Sequence, residues 1–241
     1  MRVLDVSFPE PERNLALDEV LLNRAETGLS GECLRFWESP TPFVVLGVAQ
    51  ALSEELHEDA CKKAVVPILR RCSAGGCVLQ GPGCLNFTLV LDSTTRTEIR
   101  TIRSSYTYIL GKLAEALGNL RTPARCSGIS DLAVEGVKIS GNAQRRRKRF
   151  VLHHGTLLYA LDLDLIPLYL KEPSQQPDYR RSRPHSEFVA NLPLSRAELT
   201  EALHYSLANS LPIQALANEE LADTSTLAEQ KYRDPKWVRR R

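Results

Sequence analysis

Lys138 stands two residues after Gly136 in the stretch GVKISGNAQRRRKRFVLHH, ahead of a Ser-Gly-Asn-Ala turn, five consecutive cations at 145–149 and the pair His153-His154. An ammonium on a flexible stem beside such a turn can neutralise a phosphate or carboxylate, or act on charge developing at an acyl carbonyl. The alternative is a solvated surface lysine. A second stretch, RRCSAGGCVLQGPGCLNF, follows an apolar run and carries Ser73, Gly75 and Gly76. Glycines there let the backbone approach a ligand and offer N–H groups to an anion. The loop has neither the G-x-x-x-x-G-K-[ST] nor the G-x-G-x-x-G pattern, so kinase-like and dinucleotide-binding readings lose support. Taken alone, it reads as a structural turn.

The elements that must carry these residues alternate between helix and strand. In NLALDEVLLNRAET the residues Leu15, Val20, Leu21 and Leu22 recur at helical spacing, with Asn14 as N-cap and Gly28 as the stop. ECLRFWE and FVVLGV read as paired strands joined at SPTP, and SEELHEDACKKA returns to a helical pattern. VVPILRRC is a strand leading into the glycine-rich loop. The strongest helix is TEIRTIRSSYTYILGKLAEALGNL, with Ile102, Tyr106, Ile109, Leu110, Leu113 and Leu117 on one stripe. SDLAVEGVKISGNAQ alternates apolar and polar residues about Glu135-Gly136, a hairpin that sets Lys138 on the returning strand, and RFVLHHGTLLYAL is the next strand. KEPSQQPDYRRSRPHSEF is an irregular excursion before a helix at SRAELTEALHYSLANSL, and the charged tail AEQKYRDPKWVRRR is expected on the surface.

With 241 residues, 43% hydrophobic, the chain can bury one full core, and its net charge of +2 demands no polyanionic partner. No segment approaches the ~20 apolar residues needed to span a bilayer, so a cytoplasmic protein is expected. The six cysteines form no C-x-x-C pair and read as small apolar residues, with no metal site expected. The basic run could belong to a non-catalytic nucleic-acid-binding module; the balanced charge and scattered aromatics argue against that class.

Together NLALDEVLL, RFWESPTPFVVLG, Arg70-Arg71-x-Ser73-x-Gly75-Gly76, SDLAVEGVKISGNAQ, HHGTLL, Lys231-Tyr232 and Trp237 resemble the lipoate–protein ligase and octanoyltransferase superfamily. The resemblance implies an α+β fold of mixed, mostly antiparallel sheets packed with helices. It implies one catalytic domain over 1–241 without a C-terminal accessory domain, and attachment of a lipoyl or octanoyl group to one lysine of a lipoyl-domain protein, either a glycine-cleavage H-type protein or a 2-oxoacid dehydrogenase E2. By the resemblance, Lys138 is the reactive-site lysine, Arg71, Ser73, Gly75 and Gly76 line the acyl and nucleotide pocket, and Asp131, Gly141, His154 and Gly155 complete it.

A ligase route would use ATP with Mg2+ and lipoate or octanoate through an acyl-adenylate, with a partner protein in place of the missing accessory domain. A transferase route would hold octanoate from a carrier thioester on Cys126, in CSGISDL, its thiol activated by Arg125 and Lys138. The ligase route is the favoured expectation. Gln80 and Cys84 stand where many ligases have histidine and asparagine, so those two contacts are not carried over. The 145–149 run is a solvated face or a docking candidate for an acidic lipoyl domain.

Overall fold

The computed structural model describes all residues, 1–241. Its centre is a strand whose sequence, CLNFTLVLD, leaves no polar face: β6 (Cys84–Asp92) is buried along its whole length. A strand covered on both sides must lie inside a sheet with layers above and below. It does so in a seven-stranded sheet of order β1-β2-β6-β10-β9-β8-β7, where β1 is Arg2–Asp5, β2 Cys33–Trp37, β7 Arg125–Ser127, β8 Asp131–Val134, β9 Val137–Arg146 and β10 Phe150–Leu158. Only the β1–β2 pair is parallel; the other neighbours are antiparallel.

One face of the sheet buries Leu85, Phe87, Leu89 and Leu91 against helices α4 (Ile102–Asn119) and α7 (Arg196–Ala208). The other buries Val90 and Leu152 against Leu17, Leu21 and Leu22 of α1 (Pro11–Glu26). Each fully buried leucine or phenylalanine contributes about 1.5–3 kcal/mol, so both layers are needed to hold β6 in place. A second sheet of order β4-β3-β5 joins β3 (Phe43–Leu46), β4 (Ile68–Arg70) and β5 (Val78–Gln80), with β3–β4 parallel. The glycine-rich loop 71–77 connects its two outer strands. No helix is long and apolar enough to cross a membrane.

The hairpin at Glu135-Gly136 forms as its sequence asks: both residues take left-handed angles, φ 50° and 78°, in a two-residue loop. Gly28, φ 78°, follows the end of α1. Asn14 is not the N-cap. Pro11 opens the helix one turn earlier, and the Asn14 side chain is buried, exchanging hydrogen bonds with the Phe8 backbone. ECLRFWE and FVVLGV do not pair; β2 and β3 enter different sheets. SEELHEDACKKA is two short helices, α2 (Leu52–Glu55) and α3 (Glu58–Lys63). Ile102 does not join the buried stripe of α4, because Thr101 caps the helix there and leaves Ile102 60% exposed.

The largest departure is the tail. Helix α8 (Asn218–Leu227), absent from the expectations, is followed by Ala228 and Tyr232, which are fully buried, and by the short helix α9 (Pro235–Val238). Charge density misled because the apolar and aromatic residues of the tail turn inward and Lys231 finds an interior carboxylate. Lys231 Nζ meets both Glu19 carboxylate oxygens at 2.6 and 2.7 Å, Tyr232 donates to the same carboxylate at 2.7 Å, and the Trp237 indole donates to Arg70 O at 2.8 Å.

Candidate functional site

Two cavities open between the sheets, of about 110 and 760 Å³. The smaller is bounded by Leu15, Trp37, Phe87 and Ala143 together with Asp18 and Arg71; the larger adds Leu158, Leu170, Phe188 and the charged Lys171, Arg180 and Glu55. Both are lined by Gly76, Asp131, Lys138 and Gly141, which therefore mark the junction. Lys138 Nζ lies 2.9 Å from Asp131 Oδ1, and the phenol of Tyr179 donates to Oδ2 of the same carboxylate at 2.7 Å. Burial and the adjacent carboxylate push the Tyr179 hydroxyl well above its ordinary value, so it remains a donor. The hairpin supplies this pairing: β8 and β9 run antiparallel with Asp131 opposite Gly141, and an irregularity after Leu132 sets Lys138 opposite Ala133. A glycine at 141 leaves room, since a Cβ there would stand 3.1 Å from Lys138 Nζ.

The loop 71–77 forms the facing wall. Arg71 is buried and holds the loop from within, donating to Ser73 Oγ at 3.0 Å, Ala74 O at 2.8 Å and Gly76 O at 2.9 Å. It has no carboxylate partner. Burial pulls its guanidinium below the ordinary value, and an anion in the cavity would relieve that cost. Gly75, φ 96°, is the residue that requires glycine, whereas a side chain at Gly76 would meet open space in the cavity.

Behind the loop runs a chain of hydrogen bonds. Ser73 Oγ is 2.6 Å from His154 Nε2, His154 Nδ1 is 3.2 Å from Asp18 Oδ2, and Asp18 also receives Thr88 at 2.9 Å and Arg35 at 2.6 Å. Burial alone would raise the Asp18 carboxyl, but His154, Arg35 and Thr88 together hold it below its ordinary value. The carboxylate fixes the tautomer: Nδ1–H donates to Asp18, and Nε2 accepts the Ser73 hydroxyl. The strand period of two separates the histidines, His154 facing α1 and His153 facing α4. His153 is fully buried, stacked on Phe87 and edge-on to Tyr106, with Gln144 Nε2 donating to Nδ1 at 3.1 Å and its own Nε2–H donating to Asn142 Oδ1 at 3.2 Å. Burial drives its pKa down to about 3, so it is neutral. Asn142, so held, lines the smaller cavity beside Gly155, where any Cβ would strike its Oδ1.

Of the residues singled out from sequence, Arg71, Gly75, Gly76, Asp131, Lys138, Gly141, His154 and Gly155 therefore surround one space, with Ser73 directly behind its wall. Cys126 is not brought to it. On the edge strand β7 it pairs with Leu132, a core residue, so its side chain belongs to the sheet face opposite Asp131. Its thiol is not activated by Arg125 or Lys138 as expected: partial burial raises its pKa, with only a backbone hydrogen bond opposing. The 145–149 run is solvated over Arg147, Lys148 and Arg149, yet it also braces the fold. Arg146 donates to Ile99 O and Arg100 O, Arg147 to Asn23, and Arg149 to Asp92, so three of the five cations brace the fold.

Asp18, Trp37, Asn142 and Tyr179 were not singled out from sequence. Asp18 had a signal, a carboxylate inside the apolar run LALDEVLL; Tyr179 had none, because it reaches Asp131 from the irregular excursion.

The α+β fold thus sets a pair of partly apolar cavities around a lysine, with a buried, carboxylate-free arginine in the wall of the smaller one. Residues 10–203 match the family model of the lipoyl protein ligase A/B catalytic domain, and the chain belongs to that family, whose members carry out lipoyl or octanoyl transfer in protein lipoylation. Among curated relatives, the octanoyltransferase LipM of Geobacillus kaustophilus is 27% identical over 98% of this chain and 96% of its own. Among solved structures, a bi-partite lipoate protein ligase of Thermoplasma acidophilum, described with its E2 lipoyl domain, is 26% identical with a TM-score of 0.86, covering 99% of this chain and 95% of that one. A lipoate-protein ligase A bound with ATP matches equally, at 26% identity and TM-score 0.86, over 99% and 98% of the two chains.

Proposed function

We propose that the protein is a lipoate–protein ligase that activates its acyl substrate as an adenylate and passes it directly to a lysine of a lipoyl-domain protein. The carrying observation is that two cavities of different character meet at Lys138 and Asp131 while Cys126 lies on the other face of the sheet. In this reading the smaller cavity takes the acyl chain and the larger takes the nucleotide. The acyl carboxylate attacks the α-phosphorus of ATP and pyrophosphate leaves. The acceptor amine then attacks the acyl carbonyl and AMP leaves, its proton lost to solvent. Lys138 acts on the negative charge that grows on the phosphate and carbonyl oxygens, and Asp131 with Tyr179 orients its ammonium. Arg71 and the N–H groups of the glycine loop face the same charge.

Mg2+ would accompany the nucleotide phosphates, and Asp131 is the carboxylate lining both cavities. The acceptor would be a lipoyl domain of E2 or H type, as the archaeal neighbour is described with its E2 lipoyl domain. Residues 1–241 would act as the catalytic unit and carry both steps alone, and the bi-partite description of that neighbour supports an accessory partner protein that would raise the rate further.

A second reading, octanoyl transfer from a carrier thioester, is favoured by the name of the LipM relatives. Incubation of the protein with a lipoyl domain and either ATP plus lipoate or octanoyl carrier protein, followed by weighing of the acceptor, separates the two. The ligase reading expects a lipoyl mass increment that requires ATP; modification by the carrier alone would support the second reading.

A further inference from the structure

An amine that attacks an acyl carbon becomes cationic and acidic as the new bond forms, and a base within reach of its nitrogen speeds the step. His185 is the imidazole that lines the larger cavity. It opens the one-turn helix α6 (His185–Phe188), and the next residue, Val189, lies against β9 beside Lys138, where Ala190 N donates to Lys138 O at 3.0 Å. Histidine and lysine therefore share one wall. The ring is fixed at one end: its Nε2–H donates to Lys171 O at 3.2 Å, and the His185 backbone N–H donates to Glu172 Oε1 at 3.0 Å. A carbonyl partner at Nε2 leaves the lone pair on Nδ1. Nδ1 has no partner in the protein and is not sealed from solvent, so it opens on the cavity. Burial holds the ring below its ordinary pKa; Arg180 and Lys138 act in the same direction, while Lys171 O and Glu172 oppose it. The ring is neutral at pH 7. Glu172 is itself paired with Arg180.

We propose that His185 is the general base of acyl transfer, Nδ1 taking the proton from the acceptor lysine nitrogen as that nitrogen bonds to the acyl carbon. The inference rests on the reading of direct transfer at Lys138. In the step the N–C bond forms, the bond from the acyl carbon to the phosphate oxygen breaks, AMP leaves with that electron pair, and His185 later releases the proton to water. Lys138 cannot serve, because an ammonium paired with Asp131 has no lone pair to offer. The space allows it: about 760 Å³ lies toward the upper end of the ~300–1,000 Å³ of ligand pockets, so a lysine arm enters beside a nucleotide.

Octanoyl-adenylate supplied to the full chain with an E2 lipoyl domain isolates the transfer step, and pyrophosphate exchange with ATP and octanoate reads adenylation in the same preparation. In His185→Ala the ratio of transfer to adenylation is expected to fall about a hundredfold, the low end for loss of a positioned base, and added imidazole to restore about tenfold of it. His185→Gln keeps an N–H for Lys171 O but cannot take the proton, so the same fall is expected, without rescue because its side chain fills the space. If His185→Ala fails a thermal melt, the fall in His185→Gln carries the test. A fall shared equally by adenylation, a fall that imidazole leaves untouched in folded His185→Ala, or transfer held within about threefold would each overturn the base. An unaltered protein that exchanges no pyrophosphate overturns the ligase reading instead. Octanoyl carrier protein then serves as donor, and a loss of transfer in His185→Ala that imidazole restores decides for His185, an unchanged transfer against it.

Discussion

At the residue scale the account rests on one ammonium and its surroundings. Lys138→Ala is expected to lower acylation of a lipoyl domain roughly a hundred- to a thousandfold, the range seen when one preorganised charge-stabilising group is removed. That is far beyond the effect of the melting-temperature loss of roughly 4–8 °C that follows when the buried Asp131 carboxylate keeps only Tyr179 as partner. Gly141→Ala tests the same atom without touching its charge. The new methyl would stand 3.1 Å from Nζ and 3.2 Å from Cε, so the flexible side chain must move. A fall in kcat of about tenfold or more at constant stability is the expected outcome.

His153 supplies a pH signature of the fold. Its folded pKa, about 3, lies below the ordinary value of 6.5, so the unfolded chain binds the extra proton first as pH falls. The stability it confers is complete above about pH 6.5 and is lost progressively toward pH 3. Denaturant titrations of the unaltered protein and of His153→Gln across that window should show the variant with the shallower slope.

At the element scale, the hairpin at Glu135-Gly136 and the glycine loop were legible because both are local: alternation with a two-residue turn in one, paired glycines after a strand in the other. Arg71, Asp131, Lys138 and His154 followed from them and from the family resemblance. What was not legible depends on contacts across layers. Cys126 is close to Asp131 along the chain, yet pairing with Leu132 turns its side chain to the other face. Asp18 belongs to α1 but acts on β10, and nothing local in either segment announces that His154 needs it. The strands ECLRFWE and FVVLGV carry no mark of which sheet each will enter. Loop 71–77 makes its own test, since Gly75 has φ 96° and a Cβ there meets Arg71 Nη2 at 3.0 Å. Gly75→Ala should cost about 1–3 kcal/mol by chemical denaturation, from backbone strain alone.

At the scale of the whole molecule, the tail closes the structure over the site's foundations. Arg70 donates to Val238 O at 2.8 and 3.0 Å and to Gly47 O at 2.8 Å, while its neighbour Arg71 holds the loop, so consecutive arginines join the last helix to the cavity wall. Lys231→Met leaves the Glu19 carboxylate, 6% exposed, with Tyr232 as its remaining partner. A loss of about 2 kcal/mol is expected, seen as a melting temperature lower by roughly 4–8 °C in a chain of this size.

The claim that organises all three scales is direct transfer at Lys138 without a covalent enzyme intermediate, and the intact mass of the protein tests it most directly. The protein and its Cys126→Ser variant are each mixed with octanoyl carrier protein, or with ATP and lipoate, and weighed before and after hydroxylamine and again with a lipoyl domain present. The account expects no acyl adduct on the protein under either condition and nearly full ATP-dependent acylation of the lipoyl domain by Cys126→Ser. An acyl adduct formed from the carrier without ATP, removed by hydroxylamine and lost together with all transfer in Cys126→Ser, would contradict it.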